Sequence, residues 1–406
     1  MHEEMRFYCL ACTFFLFEFF SANIHLAQSF LWERALACQP KLPAVLGASV
    51  LDTLDTPALV VDLDLFDSNI ERITTACREA NVGWRPHCKP HKSGELARLL
   101  IERGALGVTC AKLSEAVVMA DAGIQDILIA NQITAPAKIE RLVALRSRVD
   151  VAVCVDNVDN ARVLSDAALR AGCRLRVLIE VDTGTRRAGV LPGEPVVELA
   201  RSLVELPGLD FAGVMTWEGH TTQIVPPEAK EAAIRDALGL LTESADRCRS
   251  AGMPVRIVSC SGTGTYQTAC RLPGVTEIEA GGGIFGDVRY STRYHVDLDY
   301  ALVILATVTS RPTSRRIVVD AGKKALSTDA GTPLPILLSQ VESVSFSAEH
   351  GKIELSTPSD TPRVGERIAL VPGYADTTIH LHRCIYGVRG NRIEAVWPLR
   401  EDSRLL

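Results

Sequence analysis

The sequence predicts an α/β protein: a parallel (β/α)8 barrel of the TIM type, followed by a C-terminal, mainly antiparallel β domain. Three observations carry this. From Trp84 to about residue 297, short apolar runs alternate with amphipathic segments, and eight such runs fit within roughly 230 residues. Within each run successive residues are apolar, as in strands covered on both faces, rather than alternate ones. After about residue 298 the amphipathic segments stop, and strand-like runs follow one another through short turns. Eight strand–helix units of this length suit a closed barrel better than an open doubly wound sheet. No strand ends in G-x-G-x-x-G, so dinucleotide binding loses support.

Taken in order, "ALVVDL" (58–63) reads as a strand and 65–80 as a helix. The barrel series then runs through "WRPHC", "GVTCA", "DILIA", "DVAVCV", "RVLIEVD", "FAGVMTW", "VRIVSCS" and "VTEIEA". Most of these are followed by a segment of helical period, the longest within 227–250. The later strands are "YALVILATVTS", "RRIVVDAG", "VESVSFS", "KIELS", "ERIALVPG", "RCIYGVR" and "RIEAVWPL", with "EHGK" and "RGNR" as hairpin loops. The expected division is an N-terminal extension (1–50), a barrel (51–297) and a β domain (298–406). The strand near 58–62 is expected to pack with the last of these. No repeat or low-complexity segment interrupts the series.

The 406 residues are 47% apolar and 23% charged with a net charge of −6, ordinary for a soluble globular chain. No long run of like charge is present, which argues against nucleic acid as a partner. The twelve cysteines are scattered, and the one C-x-x-C, Cys9–Cys12, has no second ligand pair nearby. They read as buried free thiols of a cytoplasmic protein rather than as disulfides or a zinc site. The apolar stretch from Phe7 to Trp32 follows an acidic leader and is broken by Glu18 and His25. A secretory signal starts positive and a spanning helix needs about 20 clean apolar residues, so residues 1–50 read as an appended, poorly ordered start rather than a membrane segment.

Functional groups of such barrels sit at the C-terminal strand ends. Those ends supply His87 and Lys89, then Asp182 with "TGTRRAG", then "TWEGH", "SGTGTY" and "EAGGG". The glycine-rich ends at 260–265 and 280–283 fall on adjacent strands. With the Thr263 and Thr265 hydroxyls, their backbone N–H groups suit an anion, and the loops after strands seven and eight are the recurrent phosphate site of barrels. In "WRPHCKPHKSGE", Pro86 and Pro90 forbid a helix that would align His87 and His91 on a metal. A lysine in a phosphate-binding mouth instead suits condensation with a phosphate-bearing aldehyde, with pyridoxal phosphate the obvious candidate. Lys89 is assigned that task, His87 and His91 support it, and Lys92 is read as a solvated neighbour.

The motifs "RPHCKPHK", "EVDTGTRRAGV", "WEGH", "SGTGTY", "EAGGGIFGD" and "PGYADTT" together resemble the fold-type III pyridoxal-phosphate enzymes, in the branch of D-threonine aldolase, 3-hydroxy-D-aspartate aldolase and D-serine dehydratase. The resemblance runs from residue 54 to residue 399. It implies an alanine-racemase-like barrel, a homodimer, pyridoxal 5'-phosphate as cofactor and a D-amino acid as substrate. It further implies Lys89 as the cofactor lysine, Arg187 near the cofactor's phenolic oxygen, and Thr263, Gly264, Thr265, Gly281 and Gly282 around the phosphate. Glu279 would face the pyridine nitrogen, and His220 the substrate hydroxyl. Metal-dependent members place His-x-Asp or His-x-Cys where this chain has Tyr374-Ala375-Asp376. Asp376 is therefore the remaining candidate ligand for a divalent ion (Mg, Mn or Zn), and Tyr374 a candidate acid–base group. His380 and His382, two apart, read as surface histidines on one strand face. The expected activity is retro-aldol cleavage of D-3-hydroxy amino acids to glycine and an aldehyde. The alternatives are dehydratase-type elimination and a non-catalytic pyridoxal-phosphate-binding protein.

Overall fold

The computed structural model describes residues 40–399. Within it the chain begins in one sheet, leaves to build another, and returns. Strand β1 (Ala58–Asp62) is buried along its whole length and lies centrally in the C-terminal sheet. It pairs antiparallel with β10 (Leu302–Thr313) and parallel with β16 (Cys384–Arg389). A strand with both neighbours and both faces covered explains the unbroken apolar run "ALVV".

Helix α1 (Leu63–Ala80) starts where β1 ends because Asp62 caps it, its Oδ1 accepting from the N–H groups of Asp64 and Leu65. The other oxygen, Oδ2, accepts from Ala44 N at 2.9 Å. That contact ties the residues before β1 to the fold. Of the expected extension, residues 1–39 lie outside the described residues. Residues 40–50 are not loose: Val45 is buried, Lys41 N donates to Asp299 Oδ1, and Val50 N donates to Asn391 Oδ1. Side-chain acceptors far along the chain hold this segment, which is why local sequence pattern did not reveal it.

The barrel follows as β2 (Gly83–Trp84), β3 (Val108–Cys110), β4 (Asp126–Ile129), β5 (Asp150–Val155), β6 (Leu175–Glu180), β7 (Leu209–Met215), β8 (Ile257–Cys260) and β9 (Glu277–Ile278). All neighbours are parallel, in the order β2-β9-β8-β7-β6-β5-β4-β3. The ring closes just past β2, where His87 bridges Thr109 of β3 and Leu106 N donates to Trp84 O. Helices α2 (Gly94–Glu102), α3 (Leu113–Asp121), α4 (Pro136–Arg146), α5 (Val158–Arg170), α6 (Glu194–Val204) and α7 (Pro227–Ser250) cover the outside. Leu128, Ala152, Cys154, Leu178, Ala212 and Met215 form a small cluster separate from the main core. Their strand neighbours Ile127, Val153 and Ile179 join the main core instead. Each strand thus needs apolar residues at consecutive positions, one set turned inward and one outward.

The second sheet is completed by β11 (Arg316–Val319), β12 (Leu334–Ile336), β13 (Val341–Phe346), β14 (Gly351–Leu355), β15 (Arg367–Val371) and β17 (Arg392–Pro398). The expected hairpins at "EHGK" and "RGNR" form, with residues 347–350 and 390–391 as their loops. The stretch holding His380 and His382 is not a strand: Ile379–Leu381 forms a 3-10 turn, and a ring nitrogen of His382 lies 2.6 Å from Ala325 O. Both histidines are partly buried rather than free surface groups.

One ion pair in the barrel wall is fully enclosed. Arg85 Nε donates to Glu277 Oε1 at 2.9 Å, and its Nη2 reaches Glu277 Oε2 at 3.1 Å and Asp126 Oδ2 at 2.9 Å. Burial opposes the charge of Arg85, but Glu277 and Asp126 more than offset it and hold the guanidinium ionised. Truncating one member of a buried pair costs about 3–5 kcal/mol, mostly because its partner is left uncompensated. Arg85→Leu is therefore expected to lower the unfolding free energy by that order in urea titration. Arg85→Leu combined with Glu277→Leu should recover most of the loss.

Candidate active site

The C-terminal strand ends enclose a cavity of about 450 Å³. Its wall brings together most of the residues that the sequence nominated: Lys89, Arg187, Thr263, Gly264, Glu279, Gly281, Gly282 and Tyr374. Lys89 enters from the turn after β2, where its backbone N–H donates to His87 Nδ1 at 3.2 Å. Burial, with the charges of Lys89, His91 and Arg187, pushes the His87 pKa well down, so the ring is neutral and its Nδ1 is free to accept. The Lys89 side chain is partly exposed, and its Nζ stands 3.5 Å from Asp376 Oδ2.

The glycine-rich ends form one continuous cradle. A Cβ at Gly281 would stand 2.1 Å from the carbonyl oxygen of His87, so only glycine lets the β9 end lie against the lysine turn. At Gly282 a Cβ would stand 2.1 Å from the Tyr290 hydroxyl and 3.0 Å from Asp376 Oδ1. Thr263 Oγ1 accepts from Gly283 N at 2.8 Å and stitches the two ends together. Thr265 turns away from the cavity wall: its hydroxyl donates to Glu218 Oε1 at 2.5 Å and so braces the "SGTGT" loop from behind. Burial raises the Glu218 pKa.

Arg187 is aimed by a carboxylate that the sequence reading passed over. Glu180, the last residue of β6, accepts from Arg187 Nη2 at 3.2 Å and from Gln132 Nε2 at 2.6 Å. Asp182, nominated in its place, is a turn residue whose Oδ1 accepts from Gly184 N and Arg186 N. The strand-end rule would have found Glu180 had the strand been ended two residues earlier. Gln132, Tyr290 and Tyr294 also line the cavity. The two tyrosines lie between barrel and β domain, Tyr290 in a five-residue helix (Val288–Thr292) and Tyr294 just past it, a stretch too short to carry a periodic signal.

Two nominated groups stand differently. His220 is solvent-exposed and does not line the cavity; its ring packs over Gly184, with Nδ1 3.4 Å from Thr185 Oγ1. Lys92 is a correction. It is buried, and its Nζ pairs with Glu115 Oε1 at 3.1 Å inside the wall. The chain curls back after Pro90, with Lys92 N donating to Cys88 O, and carries the side chain inward.

The residues fit a phosphate-bearing aldehyde cofactor: an amine in the mouth, a glycine cradle that a Cβ would fill, and an arginine fixed by Glu180. They do not fit a divalent ion. Asp376 is the candidate ligand, yet its Oδ2 already accepts from the Tyr374 hydroxyl at 2.9 Å and faces Lys89 Nζ. Among the described residues no group of three or more His, Cys, Asp or Glu side chains is placed to hold a metal.

Glu279 sits in the cavity wall, its Oε1 accepting from Ser259 Oγ at 2.8 Å. Burial, reinforced by the nearby Glu277 and Glu218 carboxyls, pushes its pKa up to about 8. The fold therefore favours the protonated acid, whereas an unfolded chain ionises it above the ordinary 4.5. Its contribution to stability is complete below about pH 4.5 and falls as pH rises toward 8, on the order of 1 kcal/mol per pH unit. Glu279→Gln keeps the hydrogen-bonding shape without the titration. Thermal melts from pH 5 to 9 should show a shallower alkaline decline for this variant than for the parent.

Comparison with known proteins agrees with this geometry. Residues 61–289 match the alanine racemase N-terminal domain, and residues 301–388 a serine dehydratase domain. The chain is 33% identical over 368 residues to a 3-hydroxy-D-aspartate aldolase of Paracoccus denitrificans, covering 88% of this chain and 94% of that one. The crystal structure of D-threonine aldolase from Filomicrobium marinum superposes with a TM-score of 0.85 at 34% identity, covering 90% of this chain and all of that one. D-threo-3-hydroxyaspartate dehydratase from Delftia sp. HT23 follows with a TM-score of 0.78 at 29% identity, covering 87% and 99%. With its barrel, its lysine turn and its glycine cradle, the chain belongs to the alanine racemase N-terminal domain family, in the branch that continues into a serine dehydratase-type β domain.

Proposed function

We propose that this protein is a pyridoxal-phosphate-dependent carbon–carbon lyase that cleaves D-3-hydroxy amino acids into glycine and an aldehyde. The observation that carries the reading is the placement of Lys89. Its amine stands in a cavity of cofactor-plus-substrate size, opposite the Gly264 and Gly281–Gly282 cradle and within 3.5 Å of a carboxylate from the second domain. The similarity to 3-hydroxy-D-aspartate and D-threonine aldolases over most of the chain supports cleavage ahead of elimination. The free, mostly buried cysteines support a reducing, cytoplasmic setting. Among the described residues no helix is long and apolar enough to cross a membrane. The family resemblance supports a homodimer.

When bound, the cofactor supplies an electron sink for the pair released by the breaking bond. Lys89, in the cavity wall, would hold it through its amine. Gly264, Gly281, Gly282 and Thr263 would hold the phosphate end through backbone N–H groups and a hydroxyl. Arg187, fixed by Glu180 and Gln132, offers a cation to the cofactor's oxygen side. Glu279, protonated near neutral pH, presents a hydrogen-bonding acid to the ring. The Tyr374 phenol, whose pKa burial and the Asp376 carboxylate push upward, stays protonated and donates to Asp376.

Purified holoprotein is expected to show a visible-edge absorption band that Lys89→Ala abolishes, and to release glycine from D-threonine or D-3-hydroxyaspartate. Lys89→Ala should lose at least about 10³-fold in that release, in line with removal of a covalent catalyst. Ammonia and a keto acid in place of glycine would instead identify elimination. A band without turnover would leave a cofactor-binding protein.

A further inference from the structure

Resting on the lyase reading, we infer that Asp376 itself takes the substrate's β-hydroxyl proton, with no divalent ion between carboxylate and substrate. Asp376 comes from the β domain but is more than nine-tenths buried against the barrel mouth. Its two oxygens are in unlike positions. Oδ2 accepts from the Tyr374 hydroxyl at 2.9 Å and lies 3.5 Å from Lys89 Nζ. Oδ1 is buried with no hydrogen-bond partner, which leaves it open to accept from an arriving group. That oxygen is turned toward Gly282 in the cavity wall, where a side chain would crowd it at 3.0 Å.

The reach is right for a 3-hydroxy amino acid. A substrate whose nitrogen takes the place of Lys89 Nζ carries its hydroxyl oxygen three bonds further on, roughly 3 to 4 Å away. Lys89 Nζ stands 3.5 Å from Oδ2 of Asp376, so a hydroxyl at this reach falls beside that carboxyl group. The O–H bond breaks toward Oδ1 as the Cα–Cβ bond breaks and the carbonyl of the aldehyde forms. The carboxyl then returns the same proton to the α-carbon, so no co-reactant is consumed. His220 is solvent-exposed, with its ring over Gly184. Tyr374 is the positioning residue: its hydroxyl occupies Oδ2 and its ring is pinned by the Arg289 guanidinium at 5.0 Å. A phenol at position 374 thus turns a ligand pair into a base with its orienter.

The test uses full-length holoenzyme with D-threonine and D-3-hydroxyaspartate. After exhaustive EDTA treatment and desalting, glycine release is expected to stay within about twofold of the untreated rate, and added Mg²⁺, Mn²⁺ or Zn²⁺ should not raise it. Asp376→Asn is expected to lose about 10²–10⁴-fold in kcat, the usual share of general-base catalysis. It should keep the cofactor band and the spectral change on mixing with substrate, which a misfolded or cofactor-free variant would lose. Cleavage abolished by EDTA and restored by one of these ions overturns the inference while leaving the lyase reading intact, as does an Asp376→Asn variant of near-parental kcat. Absence of glycine release from the untreated protein on either substrate removes the lyase reading, and this inference with it.

Discussion

The candidate site depends on a seam between two loops, and the Asp287 carboxylate is its central tie. Asp287 follows the glycine cradle of the barrel. Its Oδ1 accepts from Tyr290 N at 2.8 Å and its Oδ2 from Ala375 N at 2.9 Å. Beside it Val288 N donates to Pro372 O and Arg289 N to Gly373 O. These bonds fasten the barrel's last loop to the segment that carries Tyr374 and Asp376. They help set the distance between Lys89 and Asp376, which come from different domains. Burial pushes the Asp287 pKa up to about 8 even against its two backbone donors, so the tie works in a dry, low-dielectric seam where each hydrogen bond counts for more.

The return of the chain to its starting sheet reinforces this seam. With β1 lying between β10 and β16, the β domain cannot swing away from the barrel without pulling out a fully buried central strand. Asp62, at the end of that strand, caps α1 with one oxygen and holds residue 44 with the other. A site assembled from two domains needs this rigidity, because the groups that meet in it are held to fractions of an ångström.

Charge in the cavity is arranged in layers. The glycine cradle and Arg187 make one side receptive to an anion, while buried Glu180 anchors one end of the half-exposed Arg187 guanidinium. At the floor, Glu277 is neutralised by Arg85, and the neighbouring Glu279 is kept protonated by burial and by the carboxyls beside it. The Lys92–Glu115 pair in the wall next to Lys89 follows the same rule of buried charge meeting buried charge.

The sequence by itself determined the barrel, the β domain and a lysine in the barrel mouth. Double-faced burial demands consecutive apolar residues, and glycine-rich strand ends declare close backbone approach, so both leave marks in the local pattern. Lys89, Arg187 and the cradle glycines were legible because they occupy strand ends. The tertiary structure alone decided that residues 40–50 are packed, that Lys92 is buried, and that Glu180 aims Arg187. It also set Asp376 beside Lys89 with one oxygen filled and one open. Each of these depends on a partner far away in the chain, and for Asp376 the partner lies 287 positions back, at residue 89. Periodicity and spacing report on neighbours within a strand or helical turn. The pairing of charges across a domain seam is fixed only when the two loops close on each other.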